Sequence, residues 1–243
     1  MYLSTEKIKT DIQQIDWLQL YQQRLASVKD DRLTSFYKAG TFAPDTPIKA
    51  IPFVAVDFET TGFDPKRDGI VSIGLVPFDL QRIHCKGAKH WIVRPRTTLD
   101  KDSVVVHGIT HSDIKSAPDM MRIVEYLLKA LEGRIVVVHH RGIERPFLNA
   151  ALEKRINEGI VFPVVDTMEL EARLHRAKPL TLWQRFRGHT LPSIRLVDSR
   201  ERYHLPYYRQ HHALTDALAT AELFLAQVSH RFSEDTPIRE LWK

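Results

Sequence analysis

The chain opens with apolar residues at three- and four-residue spacing: Ile8, Ile12, Ile15, Leu18, Tyr21 and Leu25. This stripe predicts an amphipathic helix from Thr5 to about Lys29, capped by Ser4 or Thr5. A second short helix is predicted over Arg32 to Ala39, stopped by Gly40, and the prolines at 44 and 47 mark a linker. From Pro52 the pattern changes to β-branched and aromatic runs. Phe53 to Asp57, Ile70 to Phe78 and roughly Ile83 to Val93 read as three strands, with turn signals at Asp64-Pro65, Asp68-Gly69 and Asp79 between them. Connections this short join antiparallel neighbours. After Pro118 the spacing turns helical through Met121, Val124, Leu127, Leu128 and Leu131 and ends at Gly133, ahead of a buried-strand run from Ile135 to Val138. A helix from about Glu144 to Asn157, a short strand at Val164-Val165 and two later helices complete the pattern. The expectation is an α/β fold: a mixed sheet of three antiparallel strands followed by α-β-α-β-α, with an N-terminal helical extension.

Composition narrows the class without choosing a function. At 243 residues, with 43% hydrophobic and 27% charged residues, the chain suits one substantial domain with an appendage and is not disordered as a whole. The expected division is a helical arm and linker over 1–50, a main domain over 51–232 and a tail over 233–243. The single cysteine, Cys85, excludes an intrachain disulfide or a multi-cysteine zinc site and reads as structural. The charged N-terminal 25 residues lack the apolar block of a signal peptide, and no apolar run reaches the ~20 residues that span a bilayer. A soluble, cytoplasmic protein with no membrane partner is expected.

Candidate chemistry begins at Phe53-Val-Ala-Val-Asp57-Phe-Glu59-Thr-Thr-Gly62. Residues two apart in a strand share a face, so Asp57 and Glu59 project together just before a turn. The pair suits a hard divalent cation such as Mg²⁺ or Mn²⁺, which prefers oxygen ligands; it equally suits a solvated strand end. A third acid, Asp216, lies in the first turn of a helix patterned by Leu214, Leu218, Ala221, Leu225 and Val228, where the helix dipole favours it in any case. His211, five residues earlier, falls near the same helix end. A histidine beside metal-bound carboxylates can accept a proton from water near neutral pH.

Together, Asp57-Phe-Glu59-Thr-Thr-Gly62, the segment Val138-His139-His140 with a following acid, and His211 with Asp216 resemble the three exonuclease motifs of the DEDDh 3′-to-5′ exonucleases. That DnaQ-like family has a ribonuclease H-like fold and includes the proofreading subunit of bacterial DNA polymerase III. His107-Gly-Ile-Thr110, followed by Pro118, is similar to a further family feature. The resemblance runs from about Phe53 to Val228 and leaves the arm outside. The second motif departs from the pattern: in His139-His140-Arg141-Gly142-Ile143-Glu144-Arg145-Pro146-Phe147-Leu148, Glu144 takes the position of the family's aspartate and His140 that of its asparagine.

The resemblance implies two divalent metal ions, Mg²⁺ or Mn²⁺, with Asp57 bridging them, Glu59 and Asp216 completing the tighter site and Glu144 supporting the other. It also implies that His211 is the general base, and that Thr60, Thr61, Gly62 and His107 meet the terminal nucleotide. The alternative is a surface Glu144 paired with Arg141 or Arg145.

The charge, +5 overall, is uneven. Between Arg173 and His211 nine Lys and Arg residues face two acids, a net +7 that leaves −2 for the remainder. Trp183, Phe186, Tyr203, Tyr207 and Tyr208 are interleaved, a composition suited to a single-stranded nucleic acid through phosphate contacts and base stacking. The expected function is a metal-dependent 3′-to-5′ exonuclease on nucleic acid, single-stranded DNA first. Two alternatives stand beside it: a nucleic-acid-binding module of the same fold with weakened catalysis, and a 3′-to-5′ exoribonuclease on short RNA. The arm could pack on the domain's outside, or bind a protein partner or a second copy. The apolar residues of the tail could dock on this domain or on another.

Overall fold

The computed structural model describes residues 15–97, 108–176, 183, 186, 187 and 190–243. His107 lies outside the described residues, as do Ile8, Ile12 and the expected helix caps Ser4 and Thr5. Five strands form one sheet: β1 (Phe53–Thr60), β2 (Ile70–Phe78), β3 (Lys89–Ile92), β4 (Ile135–Val138) and β5 (Val164–Asp166). Their order is β3-β2-β1-β4-β5. β1 pairs antiparallel with β2, which pairs antiparallel with β3; β4 and β5 join in parallel on the other side of β1. The meander and the parallel half are those expected from the connection lengths.

The helices are α1 (Trp17–Ser27), α2 (Asp31–Lys38), α3 (His111–Ser116), α4 (Val124–Leu131), α5 (Glu144–Ile156), α6 (Thr167–His175), α7 (Leu196–Arg202) and α8 (Ala213–Arg231). Three described helices follow β5 where two were expected, and α3 adds a short one held by a Thr110–Asp113 capping box. Strand β3 is much shorter than expected, four residues, because a 3₁₀ turn at Cys85–Gly87 consumes the beginning of the run. Cys85 is exposed on that turn, not a core residue. Another 3₁₀ turn, Met120–Arg122, precedes α4, so the regular helix starts three residues after Met121.

The core is built from the β-branched and aromatic strand residues, with Phe53, Phe78 and Phe224 in mutual ring contact across β1, β2 and α8. The arm joins this core through a face rotated from the one its spacing marked, sharing only Tyr21 with it among the described residues. Ile15, Leu18 and Leu25 are exposed, whereas Trp17 and Tyr21 are buried with Leu33, Phe36 and Tyr37 of α2. Aromatic edge contacts decide the orientation: Tyr21 lies edge-on to Tyr37 at 5.1 Å, and Arg145 of α5 sits over the Trp17 ring.

The tail docks on its own domain. Ile238, Leu241 and Trp242 are buried, Lys243 exchanges two backbone hydrogen bonds with Val164, and Trp242 bridges to Val165 at the β5 edge. Further along, Ile48 and Lys49 donate to Thr236 and Glu234 while Ile238 and Arg239 donate to Thr46 and Pro44, clasping the linker to the tail. Among the described residues no helix is long and apolar enough to cross a membrane.

Candidate active site

Asp57 lies towards the C-terminal end of β1, opposite Gly74 of β2, with Glu59 opposite Ser72. They share a face, as the period of two requires. A register irregularity between Glu59 and Thr60 ends the regular ladder at the site. Asp216 comes from the first turn of α8, and Glu144 is the first residue of α5. Each helix therefore turns its positive N-terminal end toward the acid cluster, which offsets part of the repulsion.

The ends of parallel strands β1, β4 and β5 carry the surrounding loops, the usual crevice of an α/β sheet. Asp166, at the end of β5, fixes the loop before Glu144. Its carboxylate accepts from the backbone N–H of His140 and of Arg141, both at 3.1 Å, and also caps α6 through Met168 and Glu169. This residue was missed by the sequence reading; an Asp directly before Thr-Met-Glu-Leu is a legible N-cap signal.

One oxygen each from Asp57, Glu59 and Asp216 lies within 4.8 Å of the others. Glu144 is 3% exposed and its Oε2 is buried without a hydrogen-bond partner. It pairs with neither nearby arginine: Arg141 engages Glu169, and Arg145 donates to the carbonyls of Phe162 and Lys243. Electrostatics report the same crowding. Burial, then the charges of Glu144, Asp216 and Glu59, push the Asp57 carboxyl well above the usual range. Burial and Asp216 raise Glu59 to about 7, while burial with a smaller push from Asp166 raises Glu144 to about 8. Asp216 is raised by burial, against the backbone N–H of His211. Asp57, Glu59 and Asp216 offer hard oxygen donors only and would fit a divalent cation; Glu144, with its orphaned buried oxygen, does not join that group of three.

His211 is exposed and adopts a left-handed backbone at φ 65°; its N–H donates to Asp216 Oδ2 at 2.7 Å. His140, at φ 99°, is likewise in a region that side chains rarely adopt. Such backbone is held only where neighbouring contacts over-determine it. His139 is a core histidine bonded to Thr167 Oγ1 and to the Ile194 carbonyl, and burial lowers its pKa to about 4. His212 caps α8 and packs against His90 at 4.6 Å.

The Thr60–Gly62 turn sits beside Asp57 and Glu59. Thr60 Oγ1 donates to the Gly62 carbonyl at 2.6 Å, and the buried Thr61 hydroxyl is engaged with Asp68 and the Gly69 N–H. A Cβ on Gly62 would lie 2.5 Å from Asp68 Oδ2, so a side chain here would have to displace the Asp68 carboxylate that Thr61 and the Asp64 N–H engage.

The basic segment is more internal than its composition suggests. Arg200 is 3% exposed and donates to the carbonyls of Ala219 and Pro206 and to Glu222. Arg202 is paired with buried Glu171, and Arg173 with Glu169. Tyr203 and Tyr208 donate their hydroxyls to Glu171 and Glu222. Trp183, Phe186 and Tyr207 are exposed.

Comparison with known proteins agrees with this arrangement. The exonuclease family model RNase_T matches residues 54–224. The PolC-type DNA polymerase III of Thermotoga petrophila is 30% identical over 181 residues, covering 74% of this chain but 12% of that protein. The DNA polymerase III subunit epsilon of Treponema pallidum is 25% identical over 185 residues, covering 76% of this chain and 80% of that one. The chain thus spans about an eighth of its polymerase-length relative. Among solved structures, cell-death related nuclease 4 superposes with a TM-score of 0.59 at 19% identity, covering 78% of this chain and 67% of the other. The nuclease domain of 3′hExo, described as a DEDDh family member bound to rAMP, gives 0.59 at 17% identity, covering 74% and 92%. Both show the ribonuclease H-like fold. The chain belongs to the exonuclease family that the RNase_T model describes.

Proposed function

We propose that the protein is a metal-dependent 3′-to-5′ exonuclease that removes nucleotides from single-stranded DNA in the cytoplasm. The observation that carries this reading is the convergence of Asp57, Glu59 and Asp216 oxygens within 4.8 Å; buried Glu144, one of whose oxygens lacks a hydrogen-bond partner, adds its charge to theirs. The polymerase III names of the relatives favour DNA. Two divalent cations, Mg²⁺ or Mn²⁺, would neutralise the acids and stabilise charge on the attacking and leaving oxygens of an in-line displacement. Asp57 would be shared between them, with Glu59 and Asp216 as its co-ligands and Glu144 in support. His211 would take the proton of the attacking water; its backbone N–H, bonded to Asp216, ties its loop to the cluster. The 3′-terminal nucleotide meets the Thr60–Gly62 turn, where the Thr61 N–H and hydroxyl are both already engaged within the protein.

The test is a degradation assay on 5′-labelled single-stranded DNA, duplex DNA and RNA of one sequence, with Mg²⁺ or Mn²⁺. The expected result is a ladder shortened from the 3′ end, fastest on single-stranded DNA and abolished by EDTA. Asp57→Ala should lower turnover on the order of 10³-fold, several kcal/mol of transition-state stabilisation. Release of the 5′ label first, preference for RNA, or near wild-type turnover in Asp57→Ala would overturn the direction, the substrate or the ligand role respectively.

A further inference from the structure

A cavity of about 560 Å³ opens beside the acid cluster, and Asp216 forms part of its wall. Its volume lies within the range of small-molecule sites, about 300–1,000 Å³. Leu196, Val197, Leu205 and Pro206 supply apolar walls, and Tyr207, 75% exposed, stands among them without a hydrogen-bond or ring partner. An aromatic face left open beside an apolar cavity is what an unstacked base seeks.

The walls are braced before any ligand arrives. Arg200 ties α7 to α8 through Ala219 and Glu222, and ties both to the following loop through Pro206. Its guanidinium lies 4.7 Å from the Tyr208 ring centre, and the Tyr208 hydroxyl closes the circuit on Glu222 at 3.0 Å. Arg202 anchors the other side of α7 to Glu171 at 2.6 Å. These cations are therefore spent on holding the cavity open and in register with Asp216, not on contacting phosphate. A site whose ordering cost is met in the free protein binds more tightly for the same contacts.

We propose that this cavity is a nucleobase subsite: it receives the planar heterocycle of a nucleotide upstream of the 3′ terminus, stacked on Tyr207, while the phosphate to be cut lies at Asp57 and Asp216. The assignment rests on the exonuclease reading for the position of that phosphate, and on the cavity itself for the class of group bound.

The test is equilibrium binding of labelled single-stranded decanucleotides in EDTA, where metal-dependent turnover cannot proceed. One oligonucleotide is intact and four each lack one base among the 3′-terminal four. For the wild type, affinity should fall about tenfold at one upstream position. Tyr207→Ala, at an exposed position and checked for an unchanged melting temperature, should bind the intact strand about tenfold more weakly and be insensitive to that missing base. Losses that simply multiply at every position, or no binding by either protein, would overturn the proposal. The exonuclease reading fails separately, when wild type and Mg²⁺ degrade no strand although the base coupling is present.

Discussion

Gly74 faces Asp57 across the β1–β2 ladder, and a Cβ built there would lie 2.1 Å from the carbonyl carbon and oxygen of Ala213. The first turn of α8 thus rests directly on the strand, three residues before Asp216. Any side chain at position 74 must lift that helix end. Gly74→Ala should displace Asp216 from Asp57 and cost about 1–3 kcal/mol in stability from overpacking. Turnover should fall roughly 10²-fold, the sensitivity expected for a 1 Å misplacement. Urea unfolding and oligonucleotide degradation measure the two effects, and wild-type turnover would refute the positioning role. An isolated glycine inside an apolar strand run was a legible sign of close backbone approach, though not of what approaches. Asp57, Glu59 and Asp216 were legible because spacing alone put the first two on one face and the third at a helix start. Glu144 could be placed only by resemblance, since its partners come from other segments; burial without a hydrogen bond is invisible in a one-dimensional pattern.

At the scale of elements, the strands were read from period and turn chemistry, whereas the segment from Arg173 to His211 was not. Its charges were countable, but a count does not say which cations turn inward. Glu171 of α6 is the reason several do. Fully buried, it accepts from Arg202, Gln227, Arg231 and Tyr203, joining α6, α7 and α8. Burial raises its pKa, but the hydrogen bonds of Arg202 and Gln227, the charge of Arg231 and the Tyr203 hydroxyl outweigh it, so the folded value lies below the ordinary 4.5.

A carboxyl depressed on folding contributes stability above its unfolded pKa and loses it as pH falls through the folded one. The protein should therefore lose stability progressively below about pH 4.5–5, and Glu171→Gln should flatten that acid limb. At pH 7 the same variant should be less stable by about 3–5 kcal/mol, because Arg202 and Arg231 lose their buried partner. Denaturant midpoints measured from pH 3 to 8 decide it; a variant with an unaltered acid limb would refute the role assigned to Glu171.

For the whole molecule, the family model spans 54–224, yet packing does not stop at those bounds. Trp17 and Tyr21 before it and Ile238, Leu241 and Trp242 after it belong to the same hydrophobic cluster as the sheet. Periodicity marked the arm as a helix and included Tyr21, but it missed Trp17 and put Ile15, Leu18 and Leu25 on the buried face, because aromatic neighbours from α2 rotate the helix. Trp242→Ala should cost about 3–5 kcal/mol, lowering the melting temperature while leaving turnover per folded molecule unchanged. Coincident loss of activity at temperatures where the variant is folded would show that the tail reaches the site.

The clasp between the linker and the tail has a mechanical meaning as well. Pro47 and Pro237 face each other in antiparallel sense, and the flanking hydrogen bonds run from Pro44 with Arg239 to Lys49 with Glu234. A pull on the two chain ends would load the Lys243–Val164 pair at the β5 edge first and then that ladder from its outer end, so the bonds would open one after another, like a zipper. β1 follows Lys49 in the chain, so Asp57 and Glu59 would keep their spacing until the clasp had parted.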